Sequence, residues 1–199
     1  MQSRNRRRAL SSRARHRLKL KNKTTNKSHL PHFLNTPIRS ETLMQTTLII
    51  LKPDTIQRGL IGKIITRFED KGLKIVGMKL DTITPEKAAI HYSDHVERPF
   101  YPGLVKFMTS SPVLFLAVQG VNAIAICRKM MGATFGSQAE PGTIRGDLGV
   151  SNSFNLIHGS DSPQAAEKEL ALWFTKDQIQ NLDRAIEPWV YDFSSTKPE

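Results

Sequence analysis

Residues 155–163 read Asn155-Leu156-Ile157-His158-Gly159-Ser160-Asp161-Ser162-Pro163. A short apolar run, Phe154 to His158, predicts a strand that stops at a histidine and a glycine. Ser162 and Pro163 then supply an N-cap and a first-turn proline. The helix they open carries Ala166, Leu170 and Trp173 on one face. Unpaired N–H groups and the dipole at such a helix start favour anions. Imidazole, with a reference pKa of about 6.5, is mostly neutral at pH 7.5, so His158 is a candidate nucleophile toward phosphate. Glu169, seven residues past Ser162, is placed to reach back and orient the ring, as a third group does behind a nucleophile. Gly159 permits a close backbone approach or unusual dihedrals.

The same strand-to-helix alternation extends upstream to Met44. Thr46 to Leu51 is β-branched and apolar and stops at Pro53, predicting a buried strand. Leu60, Ile61, Ile64, Ile65 and Phe68 recur at helical spacing, with Gly72 as a stop. Leu73 to Leu80 predicts a second strand. Thr84-Pro85 opens a helix to about Asp94, and Gly103 to Thr109 a short one. Val113 to Val118 predicts a third strand. Asn122 is the expected cap of a helix that runs to Met131 and stops at Gly132. Ala133 to Asn152 is expected to be a long loop, and such loops in compact domains are usually functional or disordered. This order places an α/β (α+β) domain over 44–199, with a four-stranded sheet covered by helices. Periodicity alone leaves a parallel doubly-wound sheet and an antiparallel ferredoxin-like sheet both open.

The chain has 199 residues and a formal net charge of +11. Residues 1–43 hold twelve Lys or Arg and one acid, Glu41, which accounts for the whole excess; 44–199 is balanced. A domain with a basic nucleic-acid face is therefore disfavoured. The basic segment is too poor in apolar residues to fold and is expected to be disordered. Three origins fit it. It is a transit peptide addressing a mitochondrion or plastid, or a polybasic arm touching nucleic acid or anionic membrane, or an upstream extension to a start at Met44. No run of about 18 apolar residues suggests a membrane span. The lone cysteine, Cys127, excludes an intrachain disulfide framework and fits a reducing compartment, so the expected location without a transit peptide is cytoplasmic.

Two other patterns resemble functional motifs. Gly59 to Ile64 contains a fragment of a phosphate loop, but its glycine spacing is wrong and its isoleucines belong to a helix face. His91 and His95, four apart on a helix, lack a third metal ligand and read as a surface pair. Phosphoryl transfer needs cations around the phosphates, and Lys52, Arg128 and Arg145 are the candidates.

Taken together these motifs resemble the nucleoside diphosphate kinase family. The matching stretches are Leu51-Lys52-Pro53-Asp54, Arg98-Pro99-Phe100-Tyr101, Met131-Gly132-Ala133-Thr134, Pro141-Gly142-Thr143-Ile144-Arg145-Gly146-Asp147 and 155–162. They follow the family's order and spacing across 45–191, and nothing in 1–43 takes part. The resemblance implies a ferredoxin-like antiparallel sheet. It implies that His158 carries a phosphoryl group on its pros nitrogen in a ping-pong cycle between nucleoside triphosphates, ATP among them, and nucleoside diphosphates. Ser160 and Glu169 would orient His158. Lys52, Tyr92, Arg128, Thr134, Arg145 and Asn155 would contact phosphates and ribose, and Phe100 and Leu104 would clamp the base. Mg²⁺ would ride on the phosphates, with no direct protein ligand, through water near Asp161. The assembly would be a homo-oligomer, hexamer or tetramer. Asn152, Ser153 and Phe154 depart from the family's hydrophobic residue, Gly or Ala, and Arg.

Overall fold

Strand β1, Met44–Leu51, is buried from Thr47 onward. Successive side chains of a strand point to opposite faces. Ile49 and Leu51 therefore enter one apolar cluster while Leu48 and Ile50 enter another. The structure, a computed structural model, describes residues 44–192 and 194. The basic segment 1–43, with the disorder expected of it, lies outside the described residues.

In chain order β1 is followed by α1 (Pro53–Gln57), α2 (Ile61–Asp70), β2 (Lys74–Asp81), α3 (Pro85–His91), α4 (Tyr101–Met108) and β3 (Val113–Val121). Then come α5 (Ala123–Met131), α6 (Ile144–Leu148), β4 (Ile157–Gly159), α7 (Pro163–Trp173) and α8 (Glu187–Val190). The sheet runs β2-β3-β1-β4, and each neighbouring pair is antiparallel. This is the ferredoxin-like arrangement that the resemblance implied. One face buries Ile64 and Phe68 of α2 with Cys127 and Met131 of α5. The other buries Ala88 of α3, Met108 of α4 and Trp173 of α7. Each fully buried Leu, Ile or Phe contributes about 1.5–3 kcal/mol, so the central strands β1 and β3 are the firmest part of the molecule. Cys127 is a core residue, and burial pushes its thiol up to about 12.

Several expectations need adjustment. The stretch 133–152 is not an unstructured loop: it holds a 3-10 turn at Gly136–Gln138 and helix α6, capped by Thr143, whose hydroxyl accepts from the Gly146 N–H. Asn122 precedes α5, but its φ of 54° is left-handed and its side chain makes no cap bond. The helix from Pro85 ends at His91 and continues as a 3-10 turn, Ser93–His95. Strand β4 begins three residues later than expected because Leu156 leaves the extended region, with φ 68°. Beyond α7 the short helix α8 packs back on the start of β2. There Arg184 donates to the Gly72 and Leu73 carbonyls beyond the C-terminal end of α2, and Lys74 pairs with Glu187 at 2.7 Å. Among the described residues no helix is long and apolar enough to cross a membrane.

Candidate active site

His158 lies opposite Ile50 in the β1–β4 ladder. It therefore projects to the face that Leu48 and Ile50 share with α3, α4 and α7. Ser162 caps α7, accepting from the Ala165 N–H at 3.2 Å, and Glu169 follows on the same helix. The Glu169 carboxylate oxygens both lie 3.1 Å from Nε2 of His158. The Ser160 hydroxyl donates to Oε2 at 2.6 Å and accepts from the Leu48 N–H. Burial pushes the Glu169 carboxyl up, but the hydrogen bond and charge of His158, with the Ser160 hydroxyl, bring it below the ordinary carboxylate value. An ionised carboxylate only accepts, so Nε2 carries the imidazole proton and Nδ1 keeps the lone pair. Gly159 is explained by close approach. A Cβ there would sit 2.7 Å from Met131 Sδ and 2.9 Å from Ile49 Cδ1, so those side-chain ends would have to shift.

The residues just before His158 are held under strain. A non-glycine residue in the left-handed region costs about 1–3 kcal/mol and persists only where its surroundings enforce it. The turn Lys52-Pro53-Asp54-Thr55 supplies that enforcement for Leu156. Its carbonyl accepts from the Lys52 N–H at 2.8 Å and from the Thr55 hydroxyl at 2.6 Å, and its N–H donates to Asp54 Oδ2 at 3.0 Å. The first strand's exit thus sets the backbone that carries both Asn155 and His158.

Three cations converge on that backbone. Lys52 is buried and donates to Asn155 Oδ1 at 2.6 Å, while the Asn155 amide donates to the Thr134 carbonyl. Burial, followed by the charge of Arg145, lowers the Lys52 ammonium to about 8, with Asp54 opposing. Arg145, on α6, is 3 % exposed and donates to the carbonyls of Asn155, Ile157, Gly132 and Ala133. Burial and then Arg128 lower its guanidinium to about 10. Arg128, on α5, is exposed and donates to the Gly159 carbonyl at 3.4 Å. Burial raises the Asp54 carboxyl above its ordinary value. Positive groups that depress one another mark a place where an anion is favoured.

A run of ring contacts leads away from His158. His91 stands edge-on to it at 4.8 Å between centroids, Tyr92 touches His91 at 4.6 Å, His95 stacks on Tyr92 at 6.3 Å, and Phe100 meets His95 at 5.6 Å. The Tyr92 hydroxyl is buried without a hydrogen-bond partner among the described residues, and burial pushes its ionisation well up. Phe100 is 56 % exposed, and Leu104 follows one turn later, its N–H bonded to the Phe100 carbonyl. The structure so brings His158, Glu169, Ser160, Lys52, Asn155, Arg128 and Arg145 into one network. Thr134 joins it through its carbonyl, whereas its side chain is exposed. Asp161 is exposed beside this network in sequence. Phe154, one of the departures from the family pattern, packs on Phe107 at 4.9 Å.

The reading of His91 and His95 as a surface pair is corrected. His95 is exposed, but His91 is partly buried against His158 and Trp173, and its Nδ1 accepts from the Trp173 indole N–H at 3.2 Å. The Walker-like fragment is structural as expected: Ile64 is core and Gly62 lies within α2.

Known proteins resemble the chain across this domain. The nucleoside diphosphate kinase family model matches residues 45–179. A nucleoside diphosphate kinase of Synechococcus sp. is 50% identical over 149 residues, 75% of this chain and 100% of that protein. A solved structure of the Halobacterium salinarum enzyme in complex with CDP superposes with a TM-score of 0.73 at 48% identity, covering 74% of this chain and 99% of that one. The Borrelia burgdorferi enzyme, solved with vanadate and ADP as a transition-state mimic, gives 0.70 at 38% identity, covering 73% and 96%. With fold, motif order and near-complete coverage of such relatives in agreement, the chain belongs to the nucleoside diphosphate kinase family, enzymes that transfer phosphate between nucleotides.

Proposed function

We propose that His158 is the nucleophile of a ping-pong cycle. Its Nδ1 lone pair attacks the γ-phosphorus of a nucleoside triphosphate such as ATP. The N–P bond forms, the bond to the β-phosphate oxygen breaks, and the nucleoside diphosphate leaves. A terminal oxygen of a second diphosphate then attacks the same phosphorus, the N–P bond breaks, and the imidazole lone pair is restored. The observation that carries this reading is the double contact of Nε2 with Glu169, which commits the proton to one nitrogen and leaves the pros nitrogen for phosphorus.

Lys52, Arg128 and Arg145 meet the phosphate charge, and Asn155 and Thr134 line the same strand end. The Tyr92 hydroxyl, buried without a partner among the described residues, suits a phosphate or ribose oxygen. Phe100 and Leu104 form an apolar clamp that stacks on a base without reading its edges. Glu169 is engaged by His158 and Ser160, so a Mg²⁺ fits as an ion carried on the phosphates and held through water by exposed Asp161. There it would offset phosphate charge. Met78 and Leu80, about 60 % exposed on edge strand β2, support association into a hexamer or tetramer. Catalysis resides in 44–199, with 1–43 a leader whose loss leaves transfer intact. The working location is the cytoplasm, or a mitochondrion or plastid if 1–43 is a transit peptide.

Incubation with labelled ATP tests the reading. The protein should acquire an acid-labile, alkali-stable phosphate and pass it to an added diphosphate. Full transfer by His158→Ala would remove His158 from the mechanism, and loss of transfer in a chain starting at Met44 would overturn the assignment of 1–43.

A further inference from the structure

His91 is absent from the set of residues that the resemblance placed at the site, yet it is a close neighbour of His158. Its Nδ1 is occupied by the Trp173 indole N–H, so the proton of a neutral His91 sits on Nε2. That Nε2 is buried without a partner among the described residues. Trp173 is itself fixed, 2 % exposed and stacked on Phe115 at 4.4 Å. His91, His158 and Glu169 have ligand atoms within 4.8 Å of one another, a set that would suit zinc. Neither nitrogen of His91 offers a free lone pair, however, and Glu169 is already shared between His158 and Ser160. The arrangement is built for hydrogen bonds, not ligation.

Two histidines therefore face one carboxylate. A protonated His91 would compete with His158 for Glu169 and repel the imidazole beside it. We propose that His91 is a positioning residue, its Nδ1 locked by the Trp173 indole so that a neutral ring stands edge-on to His158 and leaves Glu169 to His158 alone. The inference rests on His158 being the nucleophile. The surroundings agree with it: burial foremost, then His158, Lys52 and Lys168, lower the His91 ring to about 3, with Glu169 as the opposing charge.

The test combines single-turnover phosphorylation by ATP, across pH, with long-range ¹⁵N NMR of the histidine rings in the intact chain. Phosphorylation of the wild type and its loss in His158→Ala check the nucleophile separately. In the wild type His91 should be the Nε2–H tautomer, uncharged from pH 5 to 8; an Nδ1–H form overturns the proposal without any variant. Trp173→Phe keeps an aromatic ring against Phe115 but removes the lock. Relative to wild type its phosphorylation rate should fall on the acid side, by up to about tenfold at pH 5.5, the limit reached if the freed ring regained the reference pKa of about 6.5 against the burial that remains. The fall should shrink toward pH 8, with half-saturation by ATP unchanged. Trp173→Phe/His91→Gln carries no competing proton and should lose that acid-side defect. A purely structural role makes the double variant slower than the single at every pH, and either that result or a wild-type pH profile for Trp173→Phe overturns the proposal.

Discussion

Nε2 of His158 is equidistant, at 3.1 Å, from the two carboxylate oxygens of Glu169. A carboxylate so placed selects the imidazole tautomer and, in the proposed cycle, would stabilise positive charge that grows on the ring as Nδ1 bonds to phosphorus. Glu169→Gln keeps the shape and an acceptor but removes the charge. Its kcat should fall by about 10²-fold, the scale of losing one preorganised contact to developing charge, while nucleotide affinity holds. Stopped-flow phosphorylation of the enzyme measures this, and an unchanged rate would detach Glu169 from the chemistry.

The Thr55 hydroxyl reaches the carbonyl of Leu156, the strained residue between Asn155 and His158. Thr55→Val preserves the volume and deletes one buried hydrogen bond. Stability should fall by about 1–3 kcal/mol, since a buried acceptor is left less satisfied. Phosphoryl transfer should also slow, because the backbone carrying His158 can relax toward ordinary dihedrals. Urea unfolding and kcat are the readouts. A stability loss with wild-type kcat would mean that the clamp serves folding alone.

The central strands were legible because Leu48 to Leu51 and Val113 to Val118 are unbroken apolar runs, but that same feature hid how they pair. A strand covered on both faces shows no alternation, so β1 and β3 look alike in parallel and antiparallel sheets. Only the motif resemblance supplied the topology. That His158, Lys52 and Arg145 belong to one neighbourhood could be read because each sits in a dense local motif. His91 could not be, because its burial is made by Trp173 and His158, which lie far along the chain. Its signal was present but indirect: it precedes Tyr92, and an aromatic with an indole N–H, Trp173, lies on the helix that carries Glu169. Leu156 was equally opaque, since nothing in an apolar residue announces a left-handed backbone that another segment imposes.

Gly159 and Met131 are packed so closely that a methyl group between them would displace the Met131 thioether. Gly159→Ala should cost about 1–3 kcal/mol, the usual penalty for overpacking. Met131→Ala alone opens a cavity and should cost about 2–5 kcal/mol. In the double variant the new methyl partly fills the cavity, so the combined loss should be smaller than the sum by about 0.5–3 kcal/mol. Strict additivity in urea unfolding would show that β4 and α5 do not depend on this contact.

Lys52 is a cation held mainly by burial below its ordinary 10.5, at about 8. Between these values the unfolded chain binds more protons than the folded one. The stability linked to Lys52 is therefore complete above pH 10.5 and is lost as pH falls to about 8. The lost amount is on the order of 3 kcal/mol if the whole shift is expressed. Lys52→Met lacks this term, so the stability of the wild type relative to the variant should rise from pH 8 to pH 10.5. Bound phosphates supply the anion that the buried ammonium lacks, so saturating ADP should move the transition to higher pH. Paired urea titrations at pH 8 and 10.5, with and without ADP, decide the matter. A gap between the two proteins that stays constant with pH would mean that Lys52 is not a desolvated charge waiting for phosphate.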